Sequence, residues 1–192
     1  MEAQFGAIEG VYRTRVGYAG GLTQDPTYVA IGDHTETVQV DYDPRRITYD
    51  DLLAVFWRSH DPFGRSWSRQ YMNAVFYHDE RQQKAALASR AMLEKASGRA
   101  VRTEVLFVRT FTLAEDYHQK YLLKRHPDLN RELMHIYPDP HDFINSTAVS
   151  RVNGYVGGFG SRAQLLREGE GLGVSPEALN RLLKRIGNRS SQ

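Results

Sequence analysis

Residues 36–57 switch hydrophobic period within a short stretch, and few architectures accept that. Glu36-Thr37-Val38-Gln39-Val40-Asp41-Tyr42 alternates between apolar and polar positions and stops at Asp43-Pro44, as a half-buried strand does. Thr48 then stands where a helix cap is wanted, and Leu52, Leu53, Phe56 and Trp57 form an apolar stripe at helical spacing. His60-Asp61-Pro62 ends that helix. A strand with one apolar face followed by a helix with one apolar stripe predicts helices packed on a sheet.

The rest of the chain repeats the theme. Val11 to Tyr18 reads as a strand closed by Gly20-Gly21, and 22–34 as a loop. Asn73 to Tyr77 is a strand, and Asp79 caps a long helix that stops at Ser97-Gly98. Thr103 to Val108 is a further strand, and Leu113 to His126 is expected to be a helix ending before Pro127. Residues 161–168 and 176–186 look helical, the latter opened by Ser175-Pro176-Glu177. Phe5 and Ile8 share a helical face, and no Asp, Asn, Ser or Thr lies in that first turn. Residues 1–8 therefore read as the remainder of a helix. The order predicts an α+β fold, a mixed sheet with helices packed on it. The last ~30 residues, after Gly157-Gly158, read as a helical appendage of a size too small to fold alone.

Charge and composition narrow the function. Over 192 residues the balance is 25 − 23 = +2, and the basic residues are scattered. The basic tail of Arg181, Lys184, Arg185 and Arg189 reads as a solvated face, so no nucleic-acid footprint is expected. No run is long enough to span a membrane and none reads as a signal peptide, so the expected location is cytoplasmic. There is no cysteine, which excludes disulfides, thiolate metal sites and thiol chemistry by the chain as written.

Three stretches could carry chemistry. Glu36 opens a strand, where partial desolvation would make a carboxyl a general acid; the pattern alone favours a solvated strand-start residue. In Ser66-Trp67-Ser68-Arg69-Gln70-Tyr71, Tyr71 can donate into a pocket that Trp67 walls, or can simply be a buried strand-start tyrosine. In Ala114-Glu115-Asp116-Tyr117-His118-Gln119, Glu115 and His118, or Asp116 and Gln119, are helical neighbours. They form a metal or orienting pair, or a hydrogen-bonded helix surface. A zinc site needs further ligands, which the sequence does not gather; His135, Asp139 and His141 make at most a loop fork. His34, His60, His78 and His126 read as capping or surface residues, and Trp57 as core.

Several of these pieces coincide with one family. Val16-Gly17-Tyr18-Ala19-Gly20-Gly21, Pro26-Thr27-Tyr28, His34-Thr35-Glu36, Tyr42-Asp43-Pro44, Ile47-Thr48-Tyr49, Phe56-Trp57, His60-Asp61-Pro62, Gln70-Tyr71 and Ala114 to Gln119 occur in family order. In these the chain resembles A-type peptide methionine sulfoxide reductases. The resemblance implies a ferredoxin-like mixed sheet flanked by helices over residues 1–155, with a helical C-terminal extension over 156–192. It implies reduction of methionine-(S)-sulfoxide, free or in proteins. A nucleophilic Cys or selenocysteine attacks the sulfoxide sulfur while an acid and hydroxyl donors hold and protonate the oxygen. By motif match Glu36 is the acid, and Tyr28 and Tyr71 hold the oxygen. Glu2, Trp67, Asp116 and His118 support the substrate or the site, with no metal.

The family's nucleophile opens the first helix, where the helix dipole lowers a thiol pKa. Matching that motif to Glu2 places it about four residues ahead of Met1, so the chain as given carries the acid half of the site. A late start, a selenocysteine codon read as stop, or real loss of catalysis would each give this pattern; a non-catalytic methionine-sulfoxide-binding relative is the alternative. The implied partners are oxidised proteins or free methionine sulfoxide and an external thiol reductant of the thioredoxin or glutathione/glutaredoxin type, serving a monomer without cofactor, nucleic acid or membrane. The chain departs from the family in a short Tyr28-to-Glu36 loop, in Ser66 where the family has Asp, and in lacking the C-terminal recycling cysteines.

Overall fold

The computed structural model describes residues 1–187; Arg189 of the basic tail lies outside them. The elements run α1 (Glu2–Gly6), β1 (Val11–Ala19), β2 (Thr35–Tyr42), α2 (Tyr49–Arg58), β3 (Ala74–Tyr77), α3 (Glu80–Ser97), β4 (Glu104–Phe107) and β5 (Phe111–Leu113). Then follow α4 (Tyr121–Lys124), α5 (Pro127–Ile136), α6 (Pro140–Asn145), α7 (Thr147–Val156), α8 (Arg162–Glu168), a 3-10 turn (Gly169–Leu172) and α9 (Pro176–Gly187). The fold is mixed α and β. One sheet has the strand order β2-β1-β5, with β1 and β5 antiparallel and Gly17 opposite Leu113. In the other, β3 and β4 run parallel with Ala74 opposite Glu104.

The chain forms two compact units, one of residues 1–15, 38–46 and 116 onward, the other of residues 16–37 and 47–115. In the first unit the apolar core is helical. Leu123, Leu133, Val149, Val152, Tyr155, Leu165 and Leu182 are fully buried in one cluster. Leu165 of α8 and Leu182 of α9 thus share a core with the helices that precede Gly157-Gly158. In the second unit Leu53 of α2, Val75 of β3 and Ala86 of α3 are buried together, with Phe56 and Trp57 packed against them.

Local chemistry explains the boundaries. The Thr48 side chain accepts from the Asp51 backbone N–H and the Asp51 carboxylate accepts from that of Thr48, a complete capping box. Asp79 caps α3, and Gly98 closes it in the left-handed region at φ 65°.

The helix expected over Leu113 to His126 does not form. Phe111–Leu113 is instead a strand added to β1, residues 114–120 run through turns, and only Tyr121–Lys124 is helical. Lys120 adopts φ 52° and ψ 42°, and its N–H goes to the Glu2 carboxylate rather than to a carbonyl one turn back. Long-range partners therefore overrode the local pattern. Consequently Glu115 and His118 are not neighbours on a helix face. Helices α5, α6 and α7 lie where the sequence shows weak periodicity. His34 is buried, not a surface residue: its Nδ1 accepts from the Gly21 N–H at 3.3 Å, so its Nε2–H donates to the Thr23 carbonyl at 2.8 Å. Among the described residues no helix is long and apolar enough to cross a membrane.

Candidate active site

The second unit brings three of the expected residues into one hydrogen-bonded chain. Glu36 is the second residue of β2, and its backbone N–H donates to the Gln70 carbonyl at 2.9 Å. That ties the strand edge to the segment leading into Tyr71. The Gln70 amide Nε2 donates to Glu36 Oε1 at 2.8 Å and to the Tyr71 hydroxyl at 3.2 Å. The Tyr71 and Tyr28 hydroxyl oxygens lie 3.4 Å apart. Trp67 leans on the Tyr71 ring, with centroids 5.0 Å apart, and is itself 83% exposed. The carboxyl and both phenols thus face solvent: Glu36 is exposed, and Tyr28 and Tyr71 are each 38% exposed. The desolvated strand-start carboxyl and the buried strand-start tyrosine considered from the pattern are both replaced by exposed side chains.

Electrostatics keep one phenol protonated. The hydrogen bond with Tyr28, reinforced by partial desolvation and the Glu36 charge, pushes the Tyr71 hydroxyl up to about 12. It remains an O–H donor throughout the neutral range.

Glu115, expected only as a helical neighbour of His118, and Arg69 and Asp33, to which no role was assigned, surround these groups. The Tyr28 N–H donates to Glu115 Oε1 at 3.0 Å, and the other oxygen of Glu115 accepts from Tyr18 at 2.6 Å. Arg69 spans two carbonyls, Gly20 at 3.1 Å and Asp33 at 3.1 Å. Asp33 accepts from the N–H groups of Leu22 and Thr23 and from the Thr23 hydroxyl. Those hydrogen bonds, Thr23's foremost, hold its carboxyl far below the usual range. None of these contacts has a local spacing signature; only the proximity of Gln70 to Tyr71 in sequence was available as a signal.

Glu2, Asp116 and His118 belong to the first unit. Glu2 is buried and paired: Oε1 takes the Lys120 ammonium at 2.8 Å and the Thr14 hydroxyl at 3.2 Å, and Oε2 takes the Lys120 N–H at 3.0 Å. Lys120 Nζ also donates to the Thr14 carbonyl. Burial pushes the Lys120 ammonium's pKa down, and its pairing with Glu2 opposes that. Asp116 is exposed, and its backbone carbonyl accepts from Gln119 N–H and Lys124 Nζ. The His118 ring lies tilted against that of Tyr117, with centroids 4.2 Å apart and planes inclined at 44°. Asp139, His141 and Asp142 lie close enough to share a cation, but all three are exposed and Asp139 is occupied in capping α6.

With this geometry in hand, the relatives are informative. The family model for peptide methionine sulfoxide reductase matches residues 1–152. The chain belongs to this family. A peptide methionine sulfoxide reductase of Drosophila melanogaster is 41% identical over 180 residues, covering 91% of this chain and 71% of its own. One from Methanococcoides burtonii is 45% identical over 136 residues, covering 65% of this chain and 88% of its own. Among solved structures, reduced Mxr1 of Saccharomyces cerevisiae aligns with a TM-score of 0.55 at 29% identity, over 59% of this chain and 71% of that one. Methionine sulfoxide reductase A of Corynebacterium diphtheriae aligns with a TM-score of 0.52 at 32% identity, over 61% and 65% respectively. The family is one of oxidoreductases, and membership matches the expectation drawn from the motifs.

Proposed function

We propose that this protein takes part in reducing methionine-(S)-sulfoxide, free or in proteins, with Glu36 as proton donor and Tyr28 and Tyr71 as holders of the oxygen. The observation that carries the reading is the single hydrogen-bonded chain Glu36–Gln70–Tyr71–Tyr28, which sets an acid beside two phenols. A sulfoxide oxygen is a strong acceptor, and it must gain protons as its bond to sulfur breaks. The net reaction consumes one sulfoxide and two thiols and yields a thioether, a disulfide and water. With no cysteine among the 192 residues, the attacking chalcogen is assigned to a Cys or selenocysteine about four residues ahead of Met1. The two thiols are assigned to a thioredoxin or glutaredoxin type of reductant. Trp67 walls the pocket beside Tyr71, and Glu2, Asp116 and His118 are assigned supporting roles. A ferredoxin-like sheet, the division at residue 155, a monomeric state and a cytoplasmic location complete the proposal.

The absence of cysteine favours one second reading, a non-catalytic binder of methionine sulfoxide. Turnover decides between them. A chain extended upstream through the matching codon reduces methionine sulfoxide with dithiol, and the 192-residue chain does not. Turnover by the short chain, or an upstream codon that is neither Cys nor UGA, refutes the assigned nucleophile. An inert extended chain that still binds sulfoxide establishes the binder.

A further inference from the structure

Both hydrogens on Gln70 Nε2 are committed, one to Glu36 Oε1 and one to the Tyr71 hydroxyl oxygen. A carboxylate and an amide carbonyl are both acceptors, so the amide edge facing Glu36 has to be its NH2. This sets the direction of everything beyond it. A hydroxyl that accepts from Gln70 keeps its own hydrogen for another oxygen, either that of Tyr28 at 3.4 Å or that of a ligand. On the other side, Oε1 of Glu36 is occupied, and a proton carried by this carboxyl sits on Oε2.

We propose that Gln70 is a positioning residue for sulfoxide reduction, its amide turning the Tyr71 O–H toward the ligand oxygen and orienting Glu36 so that Oε2 is the oxygen that delivers the proton. The inference rests on the reading of Glu36, Tyr28 and Tyr71 given above. The Gln70 side chain can be changed without untying the strand edge, because its backbone carbonyl separately accepts the Glu36 N–H at 2.9 Å.

The test uses the 192-residue protein with N-acetylmethionine sulfoxide as probe. Affinity is read by NMR titration, and the S=O stretch of the bound probe by isotope-edited infrared spectroscopy. Gln70→Met removes both donors at similar volume. Gln70→Glu replaces them with acceptors, which turns the Tyr71 hydrogen inward. The wild-type protein binds and lowers the stretch. Gln70→Met loses about three- to tenfold in affinity and most of the lowering, and Gln70→Glu loses more, with Tm little changed. Wild-type affinity and an unchanged stretch in both variants overturn the role of Gln70 and leave the reading of the site standing. Failure of the wild-type protein to bind overturns that reading and this inference with it. A second measurement needs no variant: the two Gln70 Nε2 protons resolve separately in ¹H–¹⁵N spectra and exchange slowly. Exchange as fast as that of a free amide overturns the proposal.

Discussion

Tyr71 shows how one side chain is prepared by its neighbours. Its hydroxyl is an acceptor toward Gln70 and, held up to about 12 chiefly by Tyr28, a donor at neutral pH. Glu36 lies one amide away. Donation by Glu36 matters most in the transition state, so in an extended, active chain Glu36→Gln lowers kcat strongly and KM little. Steady-state kinetics check this, and an unchanged kcat removes Glu36 from the acid role. Asp33 gives a pH signature. Its folded pKa is depressed below the unfolded value of about 3.9. The stability it contributes is full above the unfolded value and is lost as pH falls through it toward the folded one. The Tm of the wild-type protein therefore drops more steeply than that of Asp33→Asn as pH falls below about 4, and the gap between the two curves narrows. Parallel curves would show that Asp33 contributes nothing specific. At this scale the sequence pointed to Glu36, Tyr28 and Tyr71, which the structure joins through Gln70, because all three lie in motif stretches. It did not yield Arg69, Asp33 or Glu115 as supports, because each acts on backbone atoms far away in the chain.

Elements with their own stop and start signals were legible. The strand ending at Asp43-Pro44, the Thr48 cap, and α3 between Asp79 and Gly98 carry their instructions locally. Thr48→Ala removes one arm of the capping box and costs about 1 kcal/mol. Urea denaturation measures it, and Thr48→Ser restores most of the loss. The 113–126 segment failed for the opposite reason. Its helical spacing was real, yet β1 offered Leu113 a ladder partner and Glu2 claimed the Lys120 N–H. Neither partner is visible in a short window. Helices α5 to α7 were equally hard to read, since nearly every residue of α7 is buried, glycine, serine and asparagine included, and no polar face marks its period.

In the first unit the helices on both sides of residue 157 form one apolar cluster around Leu133, Val152, Tyr155, Leu165 and Leu182. Beside it the buried Glu2–Lys120 pair joins α1 to the start of α4. Lys120→Met alone leaves the Glu2 carboxylate buried without its cation and costs about 3–5 kcal/mol. Adding Glu2→Gln recovers much of that loss, and a double-mutant cycle in urea measures the coupling. Additive losses would show that the pair is not a unit. Around the same helix the backbones are in near contact: a Cβ on Gly6 would stand 2.4 Å from the Ser150 carbonyl, and one on Gly154 would stand 2.7 Å from Ala7. Arg151 and Gln164 take the carbonyls at the far end of α1, those of Gly6, Ala7 and Ile8. Five residues make too short a helix to persist in water, so this one is clamped rather than self-supporting. A spin label or fluorophore grafted at Gln4, the residue of this helix that is not buried, would accordingly start from a rigid mount, with its first bond aimed by the surrounding helices rather than by its own composition.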